Sequence, residues 1–200
     1  MSGLFNVVVA NGGLTLLVIM VASMLALAVT VERLWRLLPQ RRVLRASRAA
    51  VVSALLARQT PVLPEDAMGR VLGAGLAVRG HGHEVVRLAA LDAAQREVPA
   101  LERGLGVLLV TAQVATLLGL LGTVVGLIES LQSTSSAAVV TPAVIADGLY
   151  KALGCTVAGL WVAIPAYIAY GYLASLSSGL ADQLEHAATD LPVLLLGTRA

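Results

Sequence analysis

The sequence predicts an all-α polytopic membrane protein with three transmembrane helices, the second and third long and extended into a helical cytoplasmic region. Three observations predict it. Hydrophobic residues make up 58% of the 200-residue chain and charged ones only 13%, about half the charged share of soluble domains. Three charge-free apolar stretches are each long enough to cross a hydrocarbon core, which takes about 20 helical residues. The basic residues are gathered in one place: 12 of 14 lie between Arg33 and Arg103, against 6 acids there, so that segment is +6 while the rest of the chain is −4.

The first stretch begins the chain. Met1 to Val31 carries no charged side chain, and its most apolar part is Gly13 to Val31. It has no basic residues ahead of it and its arginines follow it, so it reads as a retained span, not a cleaved signal peptide, despite Ala26-Leu27-Ala28. The second stretch is Gly104 to Ile128. The third, Ala152 to Leu180, is longer than one crossing, so one end should project into water. Tyr150 at one end and Tyr170 and Tyr172 at the other are about 30 Å apart on a helix, the spacing of two interfacial aromatic belts.

Short cytoplasmic loops hold the excess Lys and Arg, which sets the expected order. A periplasmic N-terminus covers 1–12, the first span 13–37, a cytoplasmic helical segment 38–103, the second span 104–130, a periplasmic loop 131–143, the third span 144–173 and a cytoplasmic C-terminal tail 174–200. Within the cytoplasmic segment, Arg41 to Arg58 reads as a helix ended by Pro61 and Pro64, a short apolar piece follows around Val71 to Val78, and the Gly80-His81-Gly82-His83 turn stops it. Glu84 to Arg103 reads as a better helix, with Asp92 and Arg96 paired at i,i+4 and Pro99 as a kink. It is expected to run without a break into the second span as one rod.

Little here supports catalysis. His81 and His83 flank a glycine with only Glu84 nearby, so no metal and no cofactor is expected. There is no Gly-rich phosphate loop and no HExxH, and the chain does not read as an enzyme. The single Cys155 excludes a disulfide framework. The basic segment has the charge to touch nucleic acid or anionic lipid, but its arginines are spread over 70 residues and mixed with acids, which reads as topology and surface charge, and no nucleic acid is expected as a partner.

The informative positions are inside the second and third spans. Ala112, Thr116, Gly119, Thr123, Gly126 and Ser130 recur at steps of three or four, which puts small and weakly polar side chains on one helix face. Ala152, Thr156, Gly159, Ala163 and Ala166 form a similar stripe. Two readings stay open: close packing between membrane helices, or a polar pathway. No Asp, Glu or His lies within Gly104 to Ile128 or Ala152 to Leu180, so if protons pass along these faces a partner must carry the acid.

Several runs together resemble a known family. Leu101-Glu102-Arg103-Gly104-Leu105, then Leu117-Leu118-Gly119-Leu120-Leu121-Gly122-Thr123-Val124-Val125-Gly126, then Cys155-Thr156-Val157-Ala158-Gly159-Leu160-Trp161-Val162-Ala163-Ile164-Pro165-Ala166 look like the MotA/TolQ/ExbB proton channel family, nearest its TolQ/ExbB branch. Glu32-Arg33-Leu34-Trp35 fits as well. The resemblance implies a pore-forming stator subunit of a proton-driven motor in a bacterial inner membrane. Five copies would surround, within the lipid bilayer, two copies of a single-span subunit like ExbD or TolR. It makes Thr123 and Thr156 the ion-pathway residues and Thr116, Gly119, Gly126, Gly159 and Ala163 candidates for the pore face. The alternative is a non-conducting scaffold for a single-span partner.

Two positions depart from the family pattern. A proline near Thr116 is missing, which alters only a kink. Lys151 stands where the family often has an acid. Lying one turn past Asp147, it has two readings: an ion pair with that carboxylate, or a cation at the outer mouth.

Overall fold

The structure, a computed structural model, describes residues 2–57, 59, 61–136 and 142–197, with side chains described for 15–57, 59, 61–132, 146 and 148–196. Five helices follow in order: α1 Ser2–Leu56, α2 Ala67–Ala77, α3 His83–Glu102, α4 Leu105–Ser136 and α5 Pro142–Gly197. Among the described residues there is no strand. Three helical stretches, within Thr15–Leu56, His83–Gln132 and Gly148–Leu196, are long and apolar enough to cross a membrane. Helices are the expected solution, because hydrocarbon offers no hydrogen-bond partner and only a helix satisfies its backbone within one segment. The chain forms two compact units, residues 1–31 with 104–171 and residues 32–103 with 172–200.

In the first unit α1, α4 and the first part of α5 pack together. Leu16 and Ile19 of α1 are buried with Cys155 of α5, and Leu118, Ala158 and Val162 close around them. The outward faces are apolar too: Met24, Leu27, Leu117, Leu120, Ile164 and Ile168 are exposed, an arrangement suited to lipid as solvent and unsuited to water. Hydroxyls on these helices bond backward along the chain. Thr30 donates to the Ala26 carbonyl at 2.7 Å and Thr111 to that of Val107 at 2.7 Å, so a polar side chain sits in the span without an unmet bond.

The second unit holds the rest of α1, α2, α3 and the end of α5. Among the buried residues at the end of α5, Leu173, Ser177, Leu180, Leu184, Ala187 and Leu191 alternate steps of four and three, the 3.5-residue seam of coiled-coil packing, with Leu176 and Ala188 buried beside it. On α1, Leu37, Leu44 and Val51 are buried at intervals of seven. Residues 174–197 therefore continue α5, as expected of a third helix extended beyond its span, and supply half of a packed seam.

α2 and α3 stack on this seam. Asp66 caps α2, accepting from the Gly69 amide at 2.8 Å. It also accepts from the Ser47 hydroxyl, tying α1 to the α2 N-terminus. Gly75 sits where a side chain would meet Ala90 and Leu191, so α2 lies close against α3 and α5. Arg70 and Glu97 form a two-pronged pair at 2.6 and 2.7 Å. The hydrogen bonds hold the Glu97 carboxyl below its usual range and raise the Arg70 guanidinium. In the same way Arg87 lowers Glu84 across one helical turn.

The expected rod from Glu84 into the second span is broken. α3 ends at Glu102, α4 begins at Leu105, and Gly104 has φ +83, a left-handed conformation that glycine adopts without a Cβ clash. By contrast α3 runs through Pro99 and α1 through Pro39.

Candidate functional site: the α4 and α5 crossing

Within the first unit, α4 and α5 meet at glycines. A Cβ on Gly159 would lie 2.6 Å from the Ala115 carbonyl oxygen and 2.9 Å from the Gly119 Cα. Below 3.0 Å real contacts do not occur, so these backbones approach as closely as they do only because both positions lack a side chain. The contact extends toward the Ser136 end of α4. A Cβ on Gly126 would be 3.1 Å from that of Ala152, and one on Gly148 would run into Ser130. On one flank Gly122 faces the Cys155 side chain, whose thiol is hydrogen-bonded to Thr15 of α1.

The threonines occupy the other flank. Thr116 is exposed and Thr123 half-buried, and successive 100° steps place them about 60° and 40° around α4 from Gly119. Thr116 donates to the Ala112 carbonyl at 3.1 Å and Thr123 to that of Leu120 at 2.6 Å. Thr156, half-buried on α5, donates across the interface to the carbonyl of Gly119 at 3.2 Å. The hydroxyls of Thr123 and Thr156 thus converge on two consecutive carbonyls, joined by the peptide between Gly119 and Leu120.

The stripe expected as one face is therefore two. Ala112, Gly119 and Ser130 are buried, as are Gly159, Ala163 and Ala166, while Gly126 is half-buried and the threonines edge the contact. Ala115 and Gly122 are buried on α4 as well, though neither belongs to the expected stripe. Lys151 is half-buried, and the side chain of Asp147 lies outside the described residues, as does any pairing between the two. Glu129 is a further residue that the sequence reading left unnamed: it is exposed near the Ser136 end of α4. In residues 1–31 and 104–171 it shares the role of charged side chain with Asp147 and Lys151 alone, and that scarcity was the available signal. His81 and His83 are exposed at the turn between α2 and α3, and among the described residues no cluster of His, Cys, Asp or Glu has the makings of a metal site.

The family model for the MotA/TolQ/ExbB proton channel family matches residues 64–186, which contain the whole α4 and α5 crossing. The chain belongs to the MotA/TolQ/ExbB proton channel family. It is 36% identical over 195 residues to the ExbB-like 1 protein of Synechocystis sp., covering 92% of this chain and 76% of that one. A biopolymer transport protein of Vibrio cholerae is 32% identical over 179 residues, with 83% and 77% covered. The Tol-Pal system protein TolQ of Haemophilus influenzae is 38% identical over 81 residues, 40% of this chain and 36% of that one. This is a membrane protein of a channel family, and its described helices include three long and apolar enough to cross a membrane.

Proposed function

We propose that this chain is the pore-forming stator subunit of a motor complex in a bacterial inner membrane, driven by the proton-motive force and energising work in the cell envelope. Five copies surround two copies of a single-span subunit of the ExbD or TolR kind, with the N-terminus periplasmic and the C-terminus cytoplasmic. The observation that carries this reading is the convergence of Thr123 and Thr156 on the Gly119 and Leu120 carbonyls, in a unit otherwise nearly free of charge. Each hydroxyl has lone pairs left to accept from a protonated partner carboxyl or from water. The acid that a proton relay needs then comes from the partner. No catalytic step is assigned to the chain.

The substitution of Lys151 for an acid favours a second reading, a non-conducting scaffold. Proton uptake by liposomes containing the complex purified with its single-span partner separates the two. Uptake driven by an imposed potential, and reduced by Thr156→Val, supports the motor. A complex of intact composition that passes no protons above empty liposomes supports the scaffold.

A further inference from the structure

Along the second unit, α1 and α5 run in the same direction side by side. Arg48 bonds Asp190 at 2.6 Å, and the Arg41 guanidinium lies 3.3 Å from the position a Gly179 Cβ would take. Each helix carries an exposed aromatic before this level, Trp35 at 79% and Tyr172 at 55% exposure. Arg41 is six residues beyond Trp35 and Gly179 seven beyond Tyr172, about 9 and 10 Å of helical rise. Two helices thus give the same level independently. Exposed Trp and Tyr sit at the edge of the hydrocarbon, and the headgroup layer adds about 5 to 7 Å on each side. By the same rise Arg42 and Arg45 lie about 10 and 15 Å beyond Trp35, and a long arginine stem carries its charged head several Å back toward that layer.

Arg41, Arg42 and Arg45 are all exposed and fall within about 100° of one another around α1. Among the described residues none of the three has a carboxylate within ion-pair distance, whereas Arg36 is paired with Glu32 and Arg48 with Asp190. Three like charges at steps of one, three and four repel one another. On α5, Asp182 is exposed one turn past Gly179 and Asp190 lines a surface pocket with Arg45 and Arg48, but neither carboxylate is in ion-pair range of the three. Below the arginines Leu38 is exposed at 44%, so the surface is apolar toward the membrane and cationic away from it.

We propose that Arg41, Arg42 and Arg45 form a docking surface for anionic phospholipid headgroups in the leaflet that α1 and α5 reach at this end. The inference rests on α1 and α5 spanning the membrane and is independent of ion conduction. The patch matches a phospholipid because one turn of helix presents both the charge for the phosphate and the apolar side chain for the glycerol and acyl region.

The test is lipid retention by the purified complex. It is reconstituted in nanodiscs holding phosphatidylglycerol and phosphatidylcholine, then extracted and counted for bound lipid by native mass spectrometry. The wild type should enrich phosphatidylglycerol, and Arg41→Gln/Arg42→Gln/Arg45→Gln should lose about fivefold of that enrichment per arginine. The corresponding triple lysine variant should keep most of it, with equal helical content by circular dichroism. Inorganic phosphate should not displace the lipid. Equal phosphatidylglycerol retention in the wild type and the glutamine variant overturns the proposal, and so does displacement by phosphate, which would make the patch a site for the free ion. Should the triple glutamine variant fail to assemble, Arg42→Gln alone gives the same two outcomes at smaller amplitude. Because retention is read without a proton gradient, its failure is distinct from failure of the motor reading.

Discussion

The Thr156 hydroxyl donates to the Gly119 carbonyl oxygen at 3.2 Å across the interface of α4 and α5. That carbonyl is also the i−4 acceptor of the Thr123 amide in an α-helix, so one oxygen serves the backbone of one threonine and the side chain of the other. Replacing Thr156 by Val removes the interhelical bond at constant volume, a loss of about 0.5 to 2 kcal/mol. Thr123→Val removes a bond within one helix and should cost less stability. Both variants should assemble while proton-driven work falls. If both retain full proton uptake, the threonines are packing residues.

Gly159 should be among the least replaceable residues of α5. An added methyl would stand 2.6 Å from the Ala115 carbonyl oxygen, and parting the helices to admit it should cost about 1 to 3 kcal/mol. Gly154, one helical face away, has nothing within 4 Å of its Cβ position. Gly154→Ala should therefore be neutral or stabilise slightly. Thermal unfolding of the two variants in the same detergent gives the comparison, and equal melting temperatures would refute the crossing.

Lys151 and Asp147 test a pair of which the Asp147 side chain lies outside the described residues. With the carboxylate one turn ahead of the ammonium on α5, an ion pair is favoured over an isolated cation at membrane depth. Lys151→Glu should then weaken assembly and Asp147→Lys should restore it in the double variant. An assembly indifferent to both changes, with ion flux altered, assigns Lys151 to the outer mouth.

Native mass spectrometry should find a homo-oligomer, with five the expected count, since small faces on two helices need more partners than one protomer supplies. A stable monomer in mild detergent counts against it.

Acid should loosen the second unit through Glu97. Its folded carboxyl titrates below the unfolded value because Arg70 hydrogen-bonds the charged form. The contribution is thus complete above the unfolded Glu value of about 4.3 and is lost as pH falls through the lower folded value. Arg70 is more than half exposed, so solvent screening limits Glu97→Gln to about 1 kcal/mol. Asp66→Ala should cost about 1 to 2 kcal/mol through the α2 cap. Hydrogen exchange of the α2 amides against pH checks both: unchanged protection at low pH, or in Asp66→Ala, contradicts these assignments.

How far the sequence reaches differs from element to element. The spans were legible because charge is so costly in hydrocarbon that its absence over 20 residues leaves few other readings. Family membership was legible from the glycine and threonine runs of α4 and α5. The division of labour inside those runs was not. A 3.6-residue period defines a face about 100° wide, but whether Gly119 or Thr123 meets the next helix depends on a 40° rotation fixed only by packing. Ser177 and Ala187 likewise hid the α5 seam, since their burial comes from the neighbours they meet and not from their own hydropathy. Gly104 read as one more small residue at the start of an apolar run, and nothing local marks its positive φ.

That glycine makes the covalent connections between the two units mechanically unequal. α1 and α5 pass from one unit to the other as unbroken helix, and a continuous helix resists twisting about its axis along its whole length. The chain between α3 and α4 makes the same passage through a residue whose backbone can rotate at little cost. Of the three connections, the one at residue 104 is where the described backbone leaves the helical conformation.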